Sequence, residues 1–327
     1  MPRSWELEGR IAVVTGAARG LGAGLAHRLA GRGMRVALLG REHATLAALT
    51  ETLGTESHAV EVDVTDDAAM ERAAGEVTRV LGAPSVVVAN AGVAEGGPFE
   101  TSDPETWRRV VEVNLVGSAI TARAFLPGLR SSGGYFLQVA STAAFGAAPM
   151  MSAYCASKAG AEAFARSLRA EVAHQGVGVG VAYLHWTDTD MVRDVDRQPV
   201  LRELRGHMPG PARRVYPVDR VASWLVRGVE RRSASVYAPP WLRLAQAGRP
   251  FFPLAVDLLS RRELPRLMRA HSFEQTGLLG AGGHIEERLI DRAAPSPLRG
   301  RGSPPRARGG VEPPQAPRID GDHGAQG

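Results

Sequence analysis

The sequence of 327 residues contains one cysteine, Cys155, and one lysine, Lys158; the rest of its 39 basic residues are arginine. A single cysteine excludes an internal disulfide framework and a thiolate-built zinc site, and it agrees with a reducing compartment. The nine histidines fall in no metal-ligand spacing, so no metal centre is expected. Nowhere do eighteen apolar residues run together, and no apolar stretch precedes the first strand-like run. Neither a transmembrane helix nor a secretory signal is therefore expected, and the protein reads as cytoplasmic. Aromatic residues are scarce at 6%, whereas hydrophobic residues reach 44%, ample for a sizeable core.

The charge is unevenly spread. The net charge is +5, yet residues 193–270 are far more basic than that, and the rest of the chain is mildly acidic. Such a region attracts anions: an acidic substrate, a membrane surface or a nucleic acid. From 281 to the end arginines and acids nearly balance, which argues against a nucleic-acid-binding arm.

Over residues 10–185 short Val-rich runs alternate with helical patterns. "RIAVVTG" (10–16), "RVALLGR" (35–41), "HAVEVDVTD" (58–66), "SVVVANAG" (85–92), "YFLQVAS" (135–141) and "VGVGVAYL" (177–184) read as strands. Helices are expected at about 68–81, 104–126 and 152–174, with a last helix and strand at 218–232 and 234–238. Strands buried on both faces and separated by helices imply an α/β fold, a doubly wound parallel sheet of Rossmann type. The reading is a single catalytic domain over 1–240 with a C-terminal extension. Residues 241–279 mix apolar and arginine residues, which suits a lid, a subunit interface or a membrane-surface contact through 241–270, with Pro250, Pro253 and Pro265 breaking any long helix. Residues 280–327, rich in Pro, Gly and Arg, read as a disordered tail.

"TGAARGLG" (15–22) sits between the first strand and the first helix. Gly16, Gly20 and Gly22 permit a tight turn and a close approach of backbone to pyrophosphate, with helix amides as donors. The end of the second strand, where an NAD site places an acid, reads Gly40-Arg41. Arg41 and Arg19 suit the 2′-phosphate of NADP, which is preferred here over NAD.

These motifs resemble the short-chain dehydrogenase/reductase family over about residues 8–240. "TGAARGLG" resembles its cofactor turn, "DVTD" (63–66) its adenine-side acid, and "ANAG" (89–92) its N-N-A-G strand end, with Ala89 for the first Asn. "VEVNLVG" (111–117), "QVASTAA" (138–144) and "YCASK" (154–158) complete the pattern. The resemblance implies a catalytic set of Asn114, Ser141, Tyr154 and Lys158. It implies cofactor contacts at Gly16, Arg19, Gly20, Leu21, Gly22, Arg41, Asp63, Val64, Asn90, Gly92 and Thr189, shared by Tyr154 and Lys158. Asn114 would anchor a water in a proton relay past Lys158, and a homo-dimer or homo-tetramer is implied as well.

The chemistry also follows from the residues. Tyr154 and Lys158 are an i, i+4 pair on one helix face. A phenol titrating near 10 is a poor acid–base group at neutral pH, and an adjacent ammonium and oxidised nicotinamide favour its phenolate. Tyr154 then moves the proton while Ser141 holds the substrate oxygen. Lysine, unlike arginine, is compact and can exchange protons, which accounts for the sole lysine standing here.

After the sixth strand the family's Pro-Gly is replaced by His185-Trp186. Trp186 is expected to narrow the pocket, and residues 190–215 to form the substrate loop. Apolar residues among arginines there suggest a lipophilic carbonyl or alcohol as substrate. Two other classes remain open: a non-catalytic dinucleotide-binding scaffold, and an epimerase or dehydratase on the same fold.

Overall fold

The computed structural model describes residues 5–270, 275–280 and 282–285. Its first half runs β1 (Ile11–Thr15), α1 (Gly20–Ala30), β2 (Arg35–Gly40), α2 (His43–Thr50), β3 (Ser57–Glu61), α3 (Asp67–Val80), β4 (Val86–Ala89) and the short β5 (Ala94–Glu95). Next come α4 (Pro104–Val111), α5 (Gly117–Ser132), β6 (Tyr135–Ser141), α6 (Ser152–Val172) and β7 (Gly178–Leu184). Three helices follow, α7 (Asp190–Arg197), α8 (Pro199–Gly206) and α9 (Gly210–Arg213), then α10 (Val218–Glu230) and β8 (Ser235–Ala238). The extension forms α11 (Leu242–Ala247), α12 (Phe252–Ala270) and β9 (Leu278–Leu279).

Seven strands make one sheet in the order β3-β2-β1-β4-β6-β7-β8, and every pairing in it is parallel. The winding reverses between β1 and β4, which opens a crevice at their carboxyl ends. Successive residues of β1 serve opposite faces: Ile11 and Val13 pack under α3, α5 and α6, while Ala12 and Val14 pack under α1 and α10. Both faces are covered, so the strands read as continuous apolar runs. Local signals set the helix starts. Asp66 accepts the Ala69 amide at 2.9 Å to cap α3, and Asp103 accepts that of Thr106 at 2.7 Å ahead of Pro104 in α4.

Several sequence expectations shift. The strand read over 58–66 ends at Glu61, because the chain turns at Asp63, whose carboxylate accepts from Thr65 N at 2.9 Å and Thr65 Oγ1 at 2.7 Å. The helix read over 104–126 continues to Ser132 and is interrupted by a π turn at Glu112–Val116. By length and composition Pro104–Ser132 is long and apolar enough to cross a membrane, but half of its most apolar eighteen-residue window is buried in the protein, as befits a core helix. Pro253 and Pro265 do not break the extension: both lie in α12. Pro253 occupies the first turn, where its missing N–H costs nothing, and Pro265 is exposed, so water can solvate the carbonyl it frees.

The extension is tied to the domain at a buried charge. Arg249 Nη1 reaches both carboxylate oxygens of Glu162, at 2.8 and 2.9 Å, and Nη2 donates to Ala144 O at 2.5 Å. Glu162 also accepts from Tyr183 Oη at 2.9 Å and pairs with Arg166 at 2.6 Å. Beyond α12, β9 pairs antiparallel with β5, Ala94 against Leu279 and Glu95 against Leu278. Thr276 N donates to Gly96 O at 2.8 Å and Gly280 N to Asp194 Oδ2 at 2.9 Å. Of the tail read from 280 as disordered, residues 280 and 282–285 therefore belong to a strap laid on the domain. The remainder lies outside the described residues. The Arg249→Ala variant leaves Glu162 short of a partner in a buried setting; a stability loss of about 2 kcal/mol is expected. Chemical denaturation measures it, and an unchanged midpoint would contradict the anchoring role.

Candidate active site

The crevice at the β1/β4 switch holds a cavity of about 280 Å³ bordered by the glycine turn, the end of β2, the Asp63 turn, β6, α6, α7 and the strap. At its floor Gly16 adopts φ +61°, and a Cβ on Gly22 would sit 2.1 Å from Gly16 O, so glycine at 22 is compulsory for so close a turn. Asn90 clamps that turn from β4: Nδ2 donates to Thr15 O at 2.9 Å and Gly16 O at 3.3 Å. Thr15 Oγ1 accepts the amides of Asn90 and Ala91 at 3.0 and 3.1 Å. The N-terminus of α1 carries neither a side-chain cap nor an acid in its first turn, which leaves its amides and dipole for an anion. The cradle that only glycine fits and the uncapped amides suit a dinucleotide pyrophosphate.

At the opposite end Arg41 lies 3.8 Å from Asp63, and Arg109 donates to the same carboxylate at 2.7 Å. Burial alone would raise the Asp63 carboxyl. The hydrogen bonds from Thr65 and the Arg109 guanidinium outweigh it and hold the group below the ordinary carboxylate range. Arg19 forms an ion pair with Glu42, and its Nε donates to Glu42 Oε1 at 3.1 Å. Sequence reasoning missed Glu42 and Arg109. Arg109 is one arginine among many and reaches Asp63 only through the fold, whereas Glu42 directly follows Arg41 and was open to inspection.

The catalytic candidates meet across the cleft. Ser141 ends β6, while Tyr154 and Lys158 stand one turn apart on α6, and all three line the cavity. Lys158 is 5% exposed, with Nζ 3.4 Å from Val139 O and 5.7 Å from the Tyr154 ring centroid. Burial pushes the Tyr154 phenol up to about 12, opposed by a hydrogen bond with Ser141. Burial also pushes the Lys158 ammonium down to about 8. Desolvation disfavours the charged form of each group, and so works against the phenolate that the ammonium and the oxidised nicotinamide are together expected to favour.

Asn114 is fully buried in the π turn. Its Nδ2 donates to Val93 O and Ser157 Oγ, both at 2.9 Å, and Oδ1 accepts Val93 N at 2.8 Å. A point at the Cβ that Gly92 lacks lies 3.0 Å from Asn114 Oδ1 and 3.3 Å from Lys158 Nζ, so both atoms face one small space. Thr189 lies over the glycine turn, its Cγ2 3.4 Å from where a Gly20 Cβ would be. Leu21, Val64, Asn90 and Gly92 also border the cavity. All the sequence-named residues are accounted for, Asn114 lying just behind the wall.

Trp186 does not narrow the cavity. It turns toward the apolar cluster around Val195, Val200 and Leu201, with the Arg205 guanidinium 5.4 Å from its ring centroid. His185 faces the cavity instead. Its Nε2 donates to Ala212 O at 2.6 Å, which leaves Nδ1 to accept from Thr142 Oγ1 at 3.2 Å. Burial holds this imidazole below its ordinary range, so one neutral tautomer links the Ser141 turn to the 210–213 helix. Part of the cavity wall is apolar: Val93, Leu184, Met191, Val192, Leu279 and Ile285. Leu279 and Ile285 come from the strap, whose apolar "GLL" flanked by glycines was the one signal available in the sequence.

Comparison with known proteins gives the same outline. Residues 10–199 match the family model described as short chain dehydrogenase. An uncharacterized oxidoreductase of Staphylococcus saprophyticus is 32% identical over 196 residues, 58% of this chain and 84% of the relative. A Xanthobacter autotrophicus protein named inactive 2-(S)-hydroxypropyl-CoM dehydrogenase 2 is 34% identical over 192 residues, covering 58% and 81%. The 3-oxoacyl-[acyl-carrier-protein] reductase of Escherichia coli is 29% identical over 212 residues, covering 64% and 87%.

The buried ammonium has a measurable cost. Lys158 titrates at about 8 in the folded chain against an ordinary value of 10.5. Between those pH values the unfolded state binds more protons, so stability rises with pH across that window. Lys158→Met is expected to raise stability at pH 7 by on the order of 3 kcal/mol and to abolish that rise. Denaturation at pH 7 and pH 10 checks both; a less stable variant would contradict the assignment.

Proposed function

The chain belongs to the short-chain dehydrogenase family, and from that premise we propose that it is an NADP-dependent oxidoreductase interconverting a lipophilic carbonyl and its secondary alcohol. One observation carries the reading: an uncapped glycine turn and the Ser141–Tyr154–Lys158 group line the same cleft. The first-turn amides of α1 would hold the pyrophosphate, Asp63 and Val64 the adenine side, and Arg41 with Arg19 the 2′-phosphate. Arg19 would have to exchange Glu42 for that phosphate. Asn90, Gly92 and Thr189 would border the nicotinamide half.

Bound there, the dinucleotide supplies a hydride to the carbonyl carbon or accepts one from the alcohol. Ser141 holds the substrate oxygen. Tyr154 gives that oxygen its proton on reduction and takes it back on oxidation. Lys158, whose ammonium burial pushes down to about 8, stabilises the phenolate and can restore its proton. A water in the space shared by Asn114 Oδ1 and Lys158 Nζ would continue the relay, since Oδ1 retains a lone pair. The apolar walls from α7 and the strap support a lipophilic substrate, and the reductase relative from Escherichia coli, named for an oxoacyl group, is in keeping with it.

The relative named inactive keeps a non-catalytic dinucleotide binder in view as the second reading. Binding titrations with NADPH and NADH, and NADPH consumption with apolar ketones and hydrophilic sugars, separate the two. NADPH is expected to bind more tightly than NADH, with the preference lost in Arg41→Ala. Tyr154→Phe should bind NADPH as before but lose about 10²- to 10⁴-fold in turnover. No dinucleotide binding, or turnover confined to hydrophilic sugars, would overturn the reading.

A further inference from the structure

The outer face of α11 and α12 has no counterpart elsewhere on the described surface. Of the large hydrophobic residues that lie exposed, most fall within it: Leu244 at 79%, Phe251 at 71%, Leu254 at 66% and Leu258 at 73%, with Leu259 and Met268 less so. Phe251, Leu254 and Leu258 follow i, i+3, i+7 spacing and share one stripe. The same stripe continues three and four residues on with Arg261 and Arg262, and exposed Arg243, Arg266 and Arg269 flank it. The inward face is anchored, through Arg249 to Glu162 and through buried Leu267 in the cluster with Met151, Val200, Leu201 and Leu279. The stripe is thus held outward by the fold.

We propose that this face docks the protein on an anionic lipid bilayer. The charge pattern selects that occupant. Five exposed arginines face a single exposed acid on these two helices, Asp257, while Glu263 is half-buried among Arg262, Arg266 and His207. A two-fold contact with a second copy would set these arginines against one another. A bilayer instead takes the leucines and the phenylalanine at its acyl boundary and the guanidinium groups at its phosphates. The inference does not depend on the reading of the cleft.

Co-sedimentation of the full chain with vesicles tests it. Binding to mixed phosphatidylglycerol–phosphatidylcholine vesicles is expected at low salt, with little to phosphatidylcholine alone and a fall as salt rises. Leu254→Glu/Leu258→Glu should lower the partition coefficient at least about tenfold, and Arg261→Ser/Arg262→Ser about fivefold per arginine removed. Unchanged circular dichroism and thermal midpoints show that these surface variants still fold. Failure of the wild type to sediment with anionic vesicles overturns the proposal, as it would if the partner were an acidic protein. Equal sedimentation of the Leu254→Glu/Leu258→Glu variant overturns it too, placing the contact elsewhere, for instance in the basic run 298–308. So does a wild-type dimer that these substitutions dissociate, which would assign the face to a second copy.

Discussion

The site rests on one costly arrangement: a buried ammonium one turn of α6 from a half-buried tyrosine, with no carboxylate paired to the lysine among the described residues. Desolvation moves the two groups in opposite directions, Lys158 down to about 8 and Tyr154 up to about 12. An arginine at 158 would stay charged under any such burial. A lysine can approach neutrality, and so can pass protons. The surrounding structure serves to hold that pair in place. The π turn brings Asn114 against Val93 and Ser157, β6 brings Ser141 against the phenol, and the glycine turn leaves an anion site facing both.

Much of this was legible in the sequence, for a physical reason. Val-rich strands buried on both faces, and helices with periodic apolar stripes, are local patterns, so the doubly wound parallel sheet follows from them. Tyr154 and Lys158 share a helix, and Gly16 to Gly22 share a turn, so their geometry is local too. What escaped depends on residues far apart in the chain. Arg109 meets Asp63 across 46 positions, and Arg249 finds Glu162 across 87. The direction of Trp186 could not be read from its place in the motif, because a neighbouring helix and Arg205 offer it another surface. The prolines of α12 misled for a different reason: each sits where a missing amide hydrogen bond is tolerated.

The C-terminal extension joins these features. Its inner side completes the apolar end of the cleft through the strap, held by β5, Gly96 and Asp194. Its outer side carries the leucine and arginine stripe. One segment therefore carries both part of the cavity wall and an exposed apolar and arginine-rich face, while the sheet and the glycine turn remain those of the family.

Burial works against the phenolate of Tyr154 in the free chain, and on the proposed reading the oxidised dinucleotide is the cation that offsets it. Ultraviolet difference titration of the tyrosines, with Tyr154→Phe as reference, measures this directly. Without dinucleotide the Tyr154 signal is expected to emerge only near pH 12, and with NADP⁺ present at markedly lower pH, since a neighbouring positive charge favours the phenolate. An unperturbed titration near pH 10 in the free protein, or no shift on saturation with NADP⁺, would contradict the account.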